Sequence, residues 1–197
     1  MCGIIAITTK DNTSYNLQPT LDSIQHRGPD DSGIYISKKR DCHLGHVRLS
    51  IIDLTAAGHQ PMEDSSGNYI IVYNGEIYNY LDLKQKLQDK YGNIKWKSSS
   101  DTEVIIEGFV REGINFFDKL NGIFAFAVYD KKERLLHILR DPLGVKPLFI
   151  TEQNNSIFVC SELKGLLCIK DLRRTLRCES LKEQIAFMYV PEPNTIY

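Results

Sequence analysis

The sequence predicts an α+β fold of layered, mostly antiparallel sheets. Three observations carry the prediction. Short β-rich runs are interrupted by pairs of helical segments instead of alternating with single helices, which argues against a parallel βαβ array. Residues 123–129 are apolar at odd and even positions alike, so that strand is expected to be buried on both faces. The 197 residues, 42% hydrophobic and 25% charged, suit one soluble domain with a substantial core, or at most two small ones.

Taken in order, residues 3–8 read as a buried strand. Leu17, Leu21 and Ile24 stand at helical spacing in residues 17–26, and Gly28-Pro29 stops that helix. Residues 32–37 and 42–52 read as strands on either side of the basic turn Lys38-Lys39-Arg40. Residues 53–67, rich in Ala, Gly, Pro and Ser, read as a loop, and 69–73 as the next strand. An amphipathic helix is expected over 81–91, with Asn79 as N-cap and Gly92 beyond its end. Ser100 or Asp101 can open a helix to about residue 112, and Ser100 with Glu103 matches a capping box. Residues 123–129 and 135–139 read as a hairpin around Lys131-Lys132-Glu133. Strands at 148–151 and 157–160, a short helix from Ser161 through residue 167 and a last helix over 180–188 complete the prediction. The proline-rich stretch at 190–195 reads as a linker or domain edge.

A formal net charge of −1 gives no field favouring nucleic acid or an anionic membrane. No apolar run is long enough for a bilayer, and the N-terminus lacks the basic flank and apolar stretch of a signal peptide. The five cysteines (Cys2, Cys42, Cys160, Cys168 and Cys178) are odd in number, widely spaced and without a C-x-x-C pair. They read as reduced thiols of a cytoplasmic protein.

Several segments carry two readings. Cys2 is either a small apolar residue opening a strand or, with Met1 removed, a nucleophile whose own α-amine serves as base. Asn74-Gly75 is either a hairpin turn or a pair of donors for a developing oxyanion. His26-Arg27-Gly28-Pro29-Asp30-Asp31 is a helix end followed by a turn, with charges that form salt bridges or belong to a site. Arg48, set in an apolar strand, is an edge residue or a carboxylate clamp. Asp101 is a helix cap or the partner of a substrate ammonium. His43 and His46 would point to opposite faces of a strand, and no metal site is expected.

Taken together, the segments Cys2-Gly3-Ile4, His26-Arg27-Gly28-Pro29-Asp30, Arg48-Leu49-Ser50-Ile51-Ile52-Asp53, Asn74-Gly75-Glu76-Ile77-Tyr78-Asn79 and Ser100-Asp101-Thr102-Glu103 resemble one family. So do Leu120-Asn121-Gly122-Ile123-Phe124-Ala125-Phe126, Arg140-Asp141-Pro142-Leu143-Gly144-Val145-Lys146-Pro147-Leu148 and Ser161-Glu162-Leu163-Lys164. The family is the type 2 glutamine amidotransferase domain of glutamine-hydrolysing asparagine synthetases. The resemblance implies a four-layer αββα N-terminal-nucleophile hydrolase sandwich of two antiparallel sheets. It also implies that Cys2 attacks the glutamine side chain, that Asn74 and Gly75 form the oxyanion hole, and that Arg48 grips the α-carboxylate. Glu76 and Asp101 would then hold the α-ammonium, and the backbone of Leu49, Ser50, Ile51 and Ile52 would line the pocket.

The resemblance places the domain at residues 2–180 and the start of a junction at 181–197. The partner domain would bind ATP and Mg²⁺, but its Ser-Gly-Gly-x-Asp-Ser string is absent here, so no cofactor is expected in this chain and it is not expected to make asparagine by itself. A homodimer is compatible with the family. Pro142 departs from the family pattern in a segment expected to be structural. Two other functions remain open at this point: the same glutaminase feeding a sugar or another carboxylate, and a non-catalytic glutamine-binding module if Met1 stays on.

Overall fold

The computed structural model describes residues 1–197. In chain order the elements are β1 (Gly3–Thr9), α1 (Gln18–Ile24), β2 (Asp31–Ile36), β3 (Cys42–Arg48), β4 (Met62–Glu63) and β5 (Tyr69–Ile77). There follow α2 (Tyr80–Tyr91), α3 (Asp101–Glu112), β6 (Gly122–Asp130), β7 (Leu135–Arg140), β8 (Phe149–Gln153), β9 (Ser156–Cys160), α4 (Leu163–Leu167) and α5 (Cys178–Phe187). The strands form two antiparallel sheets, one ordered β2-β3-β1-β9-β8 and one ordered β4-β5-β6-β7.

Side-chain alternation builds four layers from these elements. Odd-numbered Ile5, Ile7 and Val47 pack on Leu21 and Ile24 of α1 and Leu166 of α4. Even-numbered Ile4, Ala6 and Leu44 face Ile70, Val72 and Ala127 of the other sheet. The outer face of that second sheet, with Ile71, Tyr73 and Phe126, packs on Leu83, Leu87, Ile105 and Phe109 of α2 and α3. The result is the αββα sandwich expected above. Each fully buried Ile or Phe in it contributes roughly 1.5–3 kcal/mol over an exposed one. Residues 124–130 of β6 are buried at every position, as a strand covered on both faces requires.

Several local expectations are corrected. The third strand stops at Arg48, not at residue 52, because the chain turns out of the sheet there: the Asp30 N–H binds the Arg48 carbonyl at 3.0 Å and the Ser50 N–H binds the Asp30 carboxylate at 2.7 Å. The loop over 53–67 contains a 3-10 turn at Ala56–Gly58 and the short β4. Asn74-Gly75 is not a turn, since β5 runs through it to Ile77, paired residue by residue with β6. Ser100 caps α3 by accepting the Thr102 N–H, but the capping box does not close: Glu103 accepts the N–H groups of Lys97 and Ser98 instead. Asn79 precedes α2 without a side-chain cap, its amide being committed to Asn121 and Lys119. Ser161 binds the Ile4 N–H at 2.9 Å and extends the β1–β9 ladder, so α4 begins two residues later. The last helix, α5, spans residue 180 and ends at Met188 in a left-handed conformation.

Candidate functional site

The even-numbered side chains of β1, β3 and β5 meet between the sheets, and at one end of the sandwich they stop being apolar. Cys2 continues the row of Ile4 and Ala6, Arg48 that of Cys42 and Leu44, and Asn74 that of Ile70 and Val72. Three polar side chains from three strands are thereby delivered to one place. They line a cavity of about 100 Å³ together with Leu49, Gly75, Glu76 and Asp101.

The Cys2 sulfur sits against the backbone of Leu49, whose N–H approaches it at 3.5 Å. Burial raises the thiol pKa above its ordinary value, outweighing the Leu49 hydrogen bond and the nearby positive charges of the N-terminus and Arg48. The thiol is therefore not ionised in advance. Arg48 is almost fully buried and forms no ion pair; its guanidinium donates to the carbonyls of Thr55 at 3.1 Å and Ile52 at 3.4 Å, and to that of Asp53. Its charge is left without a counterion at the cavity wall, the arrangement a carboxylate ligand would complete.

Asp101, the first residue of α3, lines the same cavity. It accepts the Tyr73 hydroxyl at 2.6 Å and the Ile77 N–H at 3.1 Å. Burial nevertheless holds its pKa above the usual carboxylate range. Glu76 is exposed at the rim of the same cavity.

Two donors belong to the same lining. The Asn74 Nδ2 is buried and has no hydrogen-bond partner, a state that ordinarily costs about 1–3 kcal/mol. The second donor follows from strand geometry. Tyr73 sends its N–H to Gln60 and its C=O to His46, away from β6. Phe124, opposite Gly75, turns its own N–H and C=O to Asp141. By alternation the Gly75 N–H also points away from β6, toward the edge that β4 leaves uncovered, where the cavity opens. A side chain at 75 would collide with β6, since a Cβ there would lie 2.4 Å from the Ile123 oxygen. Two such donors lining one cavity with a thiol can stabilise the oxyanion of an acyl-transfer reaction.

The family model described as a glutamine amidotransferase domain matches residues 1–197. The chain belongs to this family. Asparagine synthetase [glutamine-hydrolyzing] 1 of Bacillus subtilis is 35% identical, over all of this chain and 31% of its own length. Amidase chry2 of Gibberella zeae is 37% identical, over 88% of this chain and 28% of its own length. The chain thus spans about a third of the curated relatives it matches. The solved glutamine phosphoribosylpyrophosphate amidotransferase of B. subtilis superposes with a TM-score of 0.70 at 24% identity, over 85% of this chain and 43% of that one, and supports the αββα sandwich fold.

Of the residues singled out in the sequence of this amidotransferase domain, Cys2, Arg48, Leu49, Ile51, Ile52, Asn74, Gly75, Glu76 and Asp101 all line the cavity. Ser50 is not part of the lining; its N–H is bound to Asp30. Gly58, Gln60, Tyr73, Thr102 and Lys146 also line it, although none of them is assigned a site role from the sequence. Gln60 lies in a segment with no periodicity. Lys146 belongs to the segment expected to be structural, and Asp141 does organise that segment by accepting the N–H groups of Val145 and Lys146. His43 and His46 take opposite faces of β3, His43 against Tyr15 and His46 against the Tyr73 carbonyl. No helix is long and apolar enough to cross a membrane.

Proposed function

We propose that this domain hydrolyses glutamine to glutamate and ammonia through a thioester on Cys2, and that the ammonia passes to an ATP-dependent domain of the asparagine-synthetase type. The observation that carries the reading is the buried, unpartnered Asn74 amide in the same cavity as the Cys2 thiol, with an unpaired cation and a carboxylate on the same lining. The distribution of charge matches the α-carboxylate and α-ammonium of a free amino acid.

While Met1 is attached, the Cys2 nitrogen belongs to a peptide bond. Removing Met1 exposes an α-amine with an ordinary pKa of about 7.7–8.0. That amine takes the thiol proton, which the raised thiol pKa keeps in place until then. The thiolate attacks the side-chain amide carbon, and the oxygen gains its negative charge between the Asn74 amide and the Gly75 N–H. Collapse breaks the C–N bond; the nitrogen leaves as ammonia carrying the proton held by the α-ammonium. Water then gives a proton to the amine and attacks the γ-glutamyl thioester, releasing glutamate and restoring the thiol. Arg48 holds the α-carboxylate, Asp101 and Glu76 hold the α-ammonium, and Leu49, Ile51 and Ile52 form the wall.

Residues 2–180 form the glutaminase and 181–197 begin the junction to its acceptor, whose ATP and Mg²⁺ involve no residue of this chain. The relatives named as glutamine-hydrolysing asparagine synthetases favour that acceptor over a sugar or another carboxylate. A cytoplasmic protein, acting on glutamine alone or in a homodimer, fits the reading. The test is glutamate release from glutamine by protein lacking Met1 against Cys2→Ala. Loss of release in the variant supports the reading; equal release by both overturns it.

A further inference from the structure

We propose that His46 is a positioning residue for glutamine hydrolysis, holding the peptide group between Tyr73 and Asn74 from inside the sandwich so that both oxyanion donors keep their aim. The inference rests on the glutaminase reading. His46 lies in β3, fully buried between the sheets, and its Nε2 donates to the Tyr73 carbonyl of the opposite sheet at 3.1 Å. That carbonyl has no strand to bind, because β4 pairs only with Ile70 and Ile71. The Tyr73 N–H on the same edge is likewise taken by a side chain, the Gln60 amide at 2.7 Å, itself bound to Thr102 at 3.3 Å. Two side chains therefore replace the missing strand at the one residue before the donors.

The Tyr73 carbonyl and the Asn74 nitrogen share one rigid peptide plane. Fixing the carbonyl fixes the direction in which Asn74 leaves that plane, and with it the Asn74 amide and the Gly75 N–H that follows. The position does not need a polar residue for packing: Leu44 precedes it in the same buried row. His46 also carries a cost an apolar residue would avoid, a buried Nδ1 without a partner. Burial drives its pKa down to about 3. The ring is thus neutral at physiological pH and donates through Nε2 without adding a second positive charge beside Arg48.

The test uses His46→Gln, whose amide nitrogen reaches about as far as Nε2, and His46→Asn, which is polar but too short. Both are made in the full chain with Met1 removed, and kcat and KM for glutamate release are measured. His46→Asn is expected to lower kcat about 10- to 100-fold, less than the 10²–10³-fold typical of losing an oxyanion donor itself. KM should stay within about threefold because Arg48 and Asp101 are untouched, and His46→Gln should recover most of kcat. Equal kcat in the two variants, or a KM rise that accounts for the whole loss, overturns the role of His46. Absence of glutamate release by the parent protein overturns the glutaminase reading itself, which separates the two failures.

Discussion

The Arg27 Nε donates to the carbonyl oxygen of Cys2 at 2.9 Å, so the backbone of residue 2 is anchored by a side chain 25 positions away. The guanidinium is buried and also donates through Nη1 to Glu162 at 2.9 Å. Burial works to raise the Glu162 pKa, but the hydrogen bonds from Arg27, Lys164 and His26 prevail and hold it below its usual value. Charge-assisted bonds of this kind are worth about 1.5–3 kcal/mol. Arg27→Ala is expected to reduce kcat about 10- to 100-fold by loosening the nucleophile, with little change in KM. Steady-state glutamate release measures it; an unchanged kcat would remove Arg27 from the positioning of Cys2.

An α-amine that serves as base predicts the shape of the pH profile. Because the amine accepts a proton only when neutral, kcat/KM should climb with pH and level off above its pKa of about 8. Acetylating that amine on Met1-free protein should abolish turnover. An acidic inflexion, or activity that survives acetylation, contradicts amine-assisted attack.

Asp101 makes glutamine binding pH-dependent with a definite sign. Its pKa in the unliganded domain is raised by burial, so protonation sets in at a higher pH than for an ordinary carboxylate. As pH falls through that value KM should rise, because the ammonium loses its partner. Asp101→Asn should weaken binding by about 2–5 kcal/mol at neutral pH. Stability carries the opposite sign. A carboxyl whose folded pKa is raised contributes most below its unfolded pKa, and this is lost as pH rises through the folded one. Unliganded Asp101→Asn protein should therefore melt no lower than the parent at pH 7. A clear drop in its melting temperature there would show the ionised carboxylate to be stabilising.

The 3-10 turn Ala56–Gly58 packs directly on Arg48. A Cβ at Gly58 would lie 2.1 Å from the Arg48 Nη2 and 2.8 Å from its Cζ. Gly58→Ala must displace the guanidinium, and misplacements near 1 Å can cost about 100-fold. The loss should appear in KM, with kcat nearly unchanged, since the thiol and its two donors are not touched. Isothermal titration of glutamine into Cys2→Ala with and without the Gly58 change reads it directly; equal affinities would detach Arg48 from the ligand.

Gly108 of α3 meets the Phe116 ring, where a Cβ would come within 2.2 Å of a ring carbon. Phe116 is fully buried in the core beneath α2 and α3. Gly108→Ala should destabilise the domain by about 1–3 kcal/mol through overpacking, despite the better helix propensity of alanine. Thermal or denaturant unfolding measures it; a gain in stability would show that the ring has room to move.

What was legible in the sequence was local. The β6–β7 hairpin and the α2 and α3 helices are set by their own periodicity and turn residues, and they form as expected. Asn74-Gly75 misled as a turn signal because its strand partner, β6, begins nearly fifty residues later, and tertiary pairing overrode the dipeptide's preference. Glu103 matched a capping box, but the backbone of Lys97 and Ser98 was close enough to claim it. In the site, a lone arginine in an apolar strand marked Arg48 from the start. Gln60 could not be read, because it reaches the cavity through contacts with β5 and α3, and Lys146 stands in a loop without periodicity that Asp141 organises.

Cys2, Arg48 and Asn74 occupy their places by parity, as the next members of rows whose earlier members are Ile4, Leu44 and Val72. Residue 2 is thus located by counting outward from the core, not inward from the chain end. An extra residue between Cys2 and Ile4 would turn the sulfur toward α1 while every strand kept its partner. An extra residue ahead of Cys2 would leave the sulfur where it is and take away only its free amine. The first insertion alters aim and the second alters protonation, so two neighbouring changes of equal length would disable the domain for unrelated reasons.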